Sequence, residues 1–264
     1  PYGNKGSGGH MFGGIRHKLK HAIQRRRIDS QIQRMMKRVK ADNEVFDSKY
    51  GVDTATDVLL DEYDVPEEAT RGAGYYQAIH EGVLRTIISN LVPDTQAFDF
   101  IDIGSGKGKA LLVASKFPFR RVLGVELSPR LHAVAAANIQ AFTASAEAVC
   151  GGLSSACIDA RELSGLGDKT LLFVFNPFEE GPMQDFVKRL ETEAKDRTVF
   201  VAYLNPRARR PFDESTTFTS LLETQRLAVF GCGAAAISDE ARAALTEKFP
   251  HPELVPGENP RREA

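Results

Sequence analysis

Tryptophan is absent, cysteine occurs only three times, and no apolar run is long enough to cross a bilayer. Cys150, Cys157 and Cys232 form no Cys-x-x-Cys pair, and one must stay unpaired under any bridging. Neither a disulfide scaffold nor a thiolate metal site is expected, and a reducing, cytoplasmic setting fits. The longest apolar stretch, Val199 to Leu204, has the length of a strand, against the ~20 residues of a membrane-spanning helix. No transmembrane segment is expected, and no apolar segment with a cleavage site opens the chain. An excess of one charge is lacking too: 34 Lys and Arg face 35 Asp and Glu, which argues against a uniformly basic nucleic-acid coat. What is present is 42% hydrophobic and 26% charged residues over 264 positions, enough for one large α/β domain or two small ones.

The balanced total hides a divided amino-terminal part. Residues 1–10 read as a flexible tag or linker, with Met11 placed like an initiator. Residues 11–40 hold ten basic residues against Asp29 alone, and residues 41–70 hold ten acids against Lys49 alone. In the basic block Ile15, Leu19 and Ile23, then Ile28, Ile32, Met35 and Val39, recur at helical spacing, which predicts an amphipathic helix with a cationic face. It has three readings: a solvated helix docked on its own domain or on the acidic block, a contact with an anionic membrane, or a contact with nucleic-acid phosphates. The acidic block, with Gly51-Val52-Asp53-Thr54 and Pro66, reads as an irregular lead-in with short helical turns. Its charge would favour a cationic substrate, although charge runs are commonly solvated faces.

The chemistry is read from the centre of the chain. A helical pattern (Ile79, Val83, Leu84, Ile87, Ile88, Leu91) stops at Pro93. The strand-forming run Phe98 to Ile103 then ends at Gly104-Ser105-Gly106-Lys107-Gly108, a helical stretch covers Ala110 to Phe117, and Arg121 to Glu126 forms a second strand. That is a βαβ unit with a glycine loop at a helix start. A phosphate loop needs Gly-x-x-x-x-Gly-Lys-Ser/Thr, but Ile103 stands where its first glycine should be and Ala110 follows Lys109. A dinucleotide fingerprint needs glycine three residues beyond Gly106, where Lys109 stands.

The remaining pattern, Asp102-x-Gly104-x-Gly106-x-Gly108 with Glu126 closing the next strand, resembles motif I and its acidic successor in class I S-adenosylmethionine-dependent methyltransferases. The resemblance implies an α/β fold: a Rossmann-like, seven-stranded, mostly parallel sheet with helices on both faces, here preceded by the basic helical extension. It implies S-adenosylmethionine as cofactor. Backbone groups around Gly104, Ser105, Gly106 and Gly108 would cradle its methionyl end, with Asp102 near the amino group and Glu126 on the ribose hydroxyls. Leu127 would lie against the adenine. Asp159, after a third strand at Ser155 to Ile158, would receive the adenine amino group or else cap a helix. No metal is called for.

A fourth strand, Leu171 to Phe175, runs into Asn176-Pro177-Phe178. Asn176 then stands at the carboxyl edge of the sheet, where its side-chain oxygen could accept a proton from an amine, its backbone could help hold the cofactor, or the dipeptide could merely end the strand. The motif is similar to, without matching, the Asn/Asp-Pro-Pro-Tyr/Phe signature of amino-methylating enzymes, since only one proline is present. With Gly74-Tyr75-Tyr76 entering the leading helix, the layout resembles the seven-strand, non-SET lysine methyltransferases and uncharacterised bacterial relatives. It implies N-methylation of a protein lysine or similar amine, with Asn176 and Tyr76 as catalytic candidates. RNA or small-molecule methylation, and a cofactor-binding adaptor recruited through the basic helix, are the alternatives. His80 is either a base or a satisfied surface histidine.

Downstream, Gly181 to Ala194 predicts a helix, Thr198 to Leu204 a fifth strand ending in a second Asn-Pro at Asn205, Phe218 to Leu222 and Arg226 to Phe230 a closing hairpin, and Ser238 to Lys248 a last helix. The methyltransferase domain is expected over 71–249, with a disordered tail over 250–264.

Overall fold

The computed structural model describes residues 34, 37–56, 76–175 and 177–249. Within them the chain alternates strand and helix. A first helix, α1, spans 37–50. It is followed by α2 (Glu81–Leu91), β1 (Asp99–Ile103), α3 (Lys109–Ala114), β2 (Arg121–Glu126), α4 (Pro129–Thr143), β3 (Leu153–Cys157), β4 (Lys169–Phe175), α5 (Glu180–Glu193), β5 (Thr198–Leu204), α6 (Arg210–Asp213), β6 (Thr219–Glu223), β7 (Leu227–Cys232) and α7 (Asp239–Lys248). The helix starts carry readable caps: Ser128 accepts the Leu131 N–H and Ser238 accepts the Ala241 N–H through their side chains.

The strands form one seven-stranded sheet in the order β3-β2-β1-β4-β5-β7-β6. The first five are parallel and β7 runs antiparallel to both β5 and β6. This is the expected α/β architecture. Strand alternation sends Phe100 into one apolar core, with Leu84, Ile88, Leu112, Phe173, Phe200 and Leu245, and sends Ile101 and Ile103 into the other, with Val174, Phe186, Tyr203, Phe212 and Phe230. Helices α1 to α4 and α7 cover the first face, and α5 and α6 the second.

Chain order reverses between β1 and β4: from β3 at one edge the chain returns to place β4 on the free side of β1. In open parallel sheets the crevice at such a reversal, beyond the carboxyl ends of the strands, is where ligands bind. The ends of β1, β2 and β4 are the Asp102 to Gly108 turn, Glu126, and Phe175 followed by Asn176 and Pro177.

One expectation is corrected. Residues 41–50 continue a regular helix across the charge boundary, instead of forming an irregular lead-in. Asn43, Phe46 and Tyr50 recur at helical spacing and are buried, and Phe46 and Tyr50 join the core with Phe142. An apolar stripe this narrow is hidden by the acids on the other faces. Most of the predicted basic helix over 11–40, and the predicted tail over 250–264, lie outside the described residues.

Candidate active site

The turn after β1 is built from three glycines in the left-handed region, with φ of 72° at Gly104, 53° at Gly106 and 82° at Gly108. Close approaches add to the requirement. A Cβ on Gly104 would stand 2.8 Å from Pro177 Cβ, and one on Gly106 would overlap the Tyr76 ring. The glycines thus let the β4 exit and the Tyr76 ring close onto the turn from two sides.

The turn's own hydrogen bonds occupy its N–H groups. Gly104 and Ser105 N–H both donate to the Val125 carbonyl, at 2.9 and 3.1 Å, and Gly108 N–H donates to Ser105 O at 2.8 Å. Gly106 N–H donates to Glu126 Oε2 at 2.7 Å. The N–H groups of Gly104, Ser105, Gly106 and Gly108 are thus all engaged within the protein. What the turn offers instead is shape and carbonyl oxygen, which suits a cationic or neutral group better than a phosphate.

Charge points the same way. Asp102 is 4% exposed, and its carboxyl is pushed up to about 8 by burial and then by the nearby Glu126 charge. Glu126 is 7% exposed; burial raises its pKa, opposed by backbone N–H bonds from Ser128, Gly106 and Leu127. Its Oε1 accepts the Ser128 N–H at 2.8 Å. The Leu127 N–H also acts on this carboxylate, so the backbone takes up to three of its about four lone-pair sites and leaves the remainder for a hydroxyl donor. Two buried acids whose ionisation is disfavoured gain from a ligand that brings a cation and hydroxyls and gain nothing from a polyphosphate.

On the β2–β3 side, half-buried Leu127 follows Glu126, and its carbonyl lies 3.8 Å from the Cys157 sulfur at the end of β3. Asp159 caps the short 3₁₀ turn Ala160–Glu162 by accepting the Arg161 N–H, and it also grips the Arg161 guanidinium at 2.6 to 3.0 Å. The Arg161 bond holds its carboxyl below the usual range. The capping reading of Asp159 therefore accounts for its present contacts.

The opposite wall comes from the amino-terminal part. The Tyr76 ring covers Gly106 and its hydroxyl donates to Thr54 O at 2.9 Å. His80 caps α2, with Nδ1 accepting the Gly82 N–H at 3.1 Å, and its Nε2 lies 3.2 Å from Asp42, so its ring is held in structural contacts. Asn205 ends β5 with φ of 51°, and its Oδ1 accepts from Arg226 Nε at 3.1 Å. Asn176 and Tyr75 lie outside the described residues.

Sequence reasoning missed three residues at this wall. Lys107 Nζ reaches both Asp53 carboxylate oxygens, at 3.0 and 2.9 Å, and Asn138 bonds to both Asp53 and Lys107. A signal for Asn138 existed: it is the one polar member of the buried α4 stripe Leu131, Ala135, Asn138, Phe142. Nothing local marks Lys107 or Asp53.

No protein-family model matches the chain, and no curated protein matches it in sequence. Solved structures similar to it include magnesium protoporphyrin IX methyltransferase from Synechocystis PCC 6803 with bound SAM, 15% identical, covering 58% of this chain and 80% of that one, with a TM-score of 0.43. Ribosomal protein L11 methylase from Lactobacillus delbrueckii subsp. bulgaricus is 13% identical, with 58% and 79% covered and a TM-score of 0.42. Precorrin-6y C5,15-methyltransferase from Geobacter metallireducens GS-15 is 13% identical, with 67% and 96% covered and a TM-score of 0.40. At such partial overlap the chemistry rests on the site's own atoms.

Proposed function

We propose that the chain is an S-adenosylmethionine-dependent methyltransferase that N-methylates a protein lysine or a similar amine. The observation that carries this reading is the pair of buried carboxylates, Asp102 and Glu126, at the point where the sheet order reverses, beside a glycine turn whose N–H groups are already bonded. Such a site fits a nucleoside with two hydroxyls and a cationic amino-acid end, and it disfavours a nucleoside polyphosphate.

Glu126 would hold a ribose hydroxyl with its remaining lone-pair site. Asp102 would ionise against the methionyl ammonium, and the turn from Gly104 to Gly108 would fit the methionyl chain by shape. Leu127 would pack on the adenine, and Asp159 is offered as an acceptor for the adenine amino group while it keeps Arg161. When bound, the cofactor supplies an activated methyl on a sulfonium, so the protein's work is alignment and exclusion of water. Asn176 is assigned to accept a hydrogen bond from an N–H of the neutral acceptor amine through its side-chain oxygen and so orient the lone pair. Tyr76 is assigned to shield the approach beside Gly106. A lysine acceptor has a reference pKa of ~10.4 and must lose its proton on or before binding, which desolvation favours.

The test is transfer of label from methyl-labelled S-adenosylmethionine into a lysate of the source organism, with protease and nuclease arms. Label in protein, removed by protease and retained after nuclease, supports the amine reading. Nuclease-sensitive or small-molecule label redirects the acceptor, and no transfer at all argues against an enzyme.

A further inference from the structure

Asn138 is 4% exposed on the apolar stripe of α4, and every part of its amide is used. Oδ1 accepts the Asp53 N–H at 2.8 Å, while Nδ2 donates to the Asp53 carbonyl at 2.9 Å and to the Lys107 carbonyl at 2.9 Å. One side chain therefore joins the helix that follows Glu126, the glycine turn, and the strap at residues 51–56.

The neighbouring bonds serve the same junction. The Asp47 carboxylate accepts N–H bonds from Thr54 and Ala55, both at 2.6 Å, and Tyr76 donates to the Thr54 carbonyl. These contacts reach backbone atoms of residues 53 to 55, so they fix the strap's path. The Lys107 carbonyl belongs to the same peptide plane as the Gly108 N–H, which closes the turn by donating to Ser105 O at 2.8 Å. Asn138 thus sets the plane on which the turn's shape depends. A polar side chain in an apolar stripe is costly unless fully bonded, and here the bonding is complete.

We infer that Asn138 is a positioning residue: it locks the strap 51–56 and the glycine turn into one preformed wall of the cofactor site without itself touching the cofactor. The inference rests on the S-adenosylmethionine reading above. A preformed wall spares the ligand the work of ordering it, and a loosened one appears as weaker affinity.

The test uses the full chain with Asn138→Ala, and with the equal-volume Asn138→Asp, which keeps the acceptor for Asp53 N–H but presents a carboxylate to two carbonyls. Asn43→Ala is the control. Asn43 is also a buried asparagine, but it donates to Ala78 O at 3.3 Å. Amide exchange without ligand should accelerate at residues 51–56 and 104–108 in both Asn138 variants and stay unchanged in β4 and β5. Calorimetric affinity for S-adenosylmethionine should fall about ten- to a hundredfold in both, and stay within about twofold in Asn43→Ala even where its thermal midpoint drops. Lower thermal midpoints with unchanged affinity in both Asn138 variants would make Asn138 merely structural and overturn the inference. If Asn138→Ala does not fold, the Asp variant alone decides. Should the wild-type chain bind no S-adenosylmethionine, the cofactor reading fails, and accelerated exchange in the variants would then show a clamp that serves some other ligand.

Discussion

Lys109 offers a perturbation whose sign and size both follow from its surroundings. It is the first residue of α3, 2% exposed, and its Nζ has no hydrogen-bond partner among the described residues. The ammonium lies 3.1 Å from the centre of the Phe46 ring. Burial lowers its pKa to about 7; Asp47 and Glu81 pull it upward and Lys116 pushes it down. Displacement from 10.5 to about 7 corresponds to about 5 kcal/mol of work against ionisation inside the fold. The ring face offsets up to about 2 kcal/mol of this. Lys109→Met keeps an unbranched chain of similar length and removes the charge, so it should raise stability by roughly 2–3 kcal/mol at pH 7. Because the folded-state pKa is depressed, the native lysine's penalty is full below about pH 7 and fades as pH rises toward 10.5. The advantage of methionine should therefore shrink between pH 7 and pH 10. Urea unfolding of both proteins at the two pH values measures this. A variant no more stable at pH 7, or an advantage that grows with pH, would refute the reasoning.

Other predictions concern the glycine turn and its carboxylates. Gly106→Ala combines a left-handed φ with overlap of the Tyr76 ring, and should cost roughly 2–3 kcal/mol of unfolding free energy in a urea titration, while Gly152→Ala, which meets nothing within reach among the described residues, should cost under about 1 kcal/mol. Because Asp102 is protonated at neutral pH in the free protein, binding of a cationic ligand beside it should release about one proton at pH 7 and almost none at pH 9.5. Calorimetry in buffers of different ionisation enthalpy reads this, and Asp102→Asn should abolish it. The same raised pKa makes the free protein lose stability from this group as pH rises from about 4 to about 8, since the unfolded chain binds fewer protons over that window.

The sheet was legible because its signals are local. Apolar runs of strand length at Phe98–Ile103, Leu171–Phe175 and Thr198–Leu204, punctuated by glycines and Asn-Pro steps, coincide with β1, β4 and β5. Asp102 and Glu126 stand out in the sequence through the motif they form with the glycines, and the structure places them at the ends of β1 and β2. What escaped depends on contacts across the chain. That Gly106 N–H is taken by Glu126, 20 residues away, cannot be read from spacing, because it requires the registered β1–β2 pair to bring the two ends together. The helix over 41–50 was hidden because its buried face is only Asn43, Phe46 and Tyr50 among acids. The Asp53, Lys107 and Asn138 junction joins segments up to 85 residues apart, and only Asn138, a polar residue in an apolar helical stripe, carries a local signal.

The central claim is that Asp102 and Glu126 receive an adenosyl sulfonium nucleoside. Its most direct test is calorimetric titration of S-adenosylmethionine into the wild-type chain and into Glu126→Ala. The account predicts saturable one-to-one binding by the wild type, weakened at least tenfold in the variant, about 1.4 kcal/mol or more. Equal affinity in the two proteins, or no binding heat in either, would contradict it.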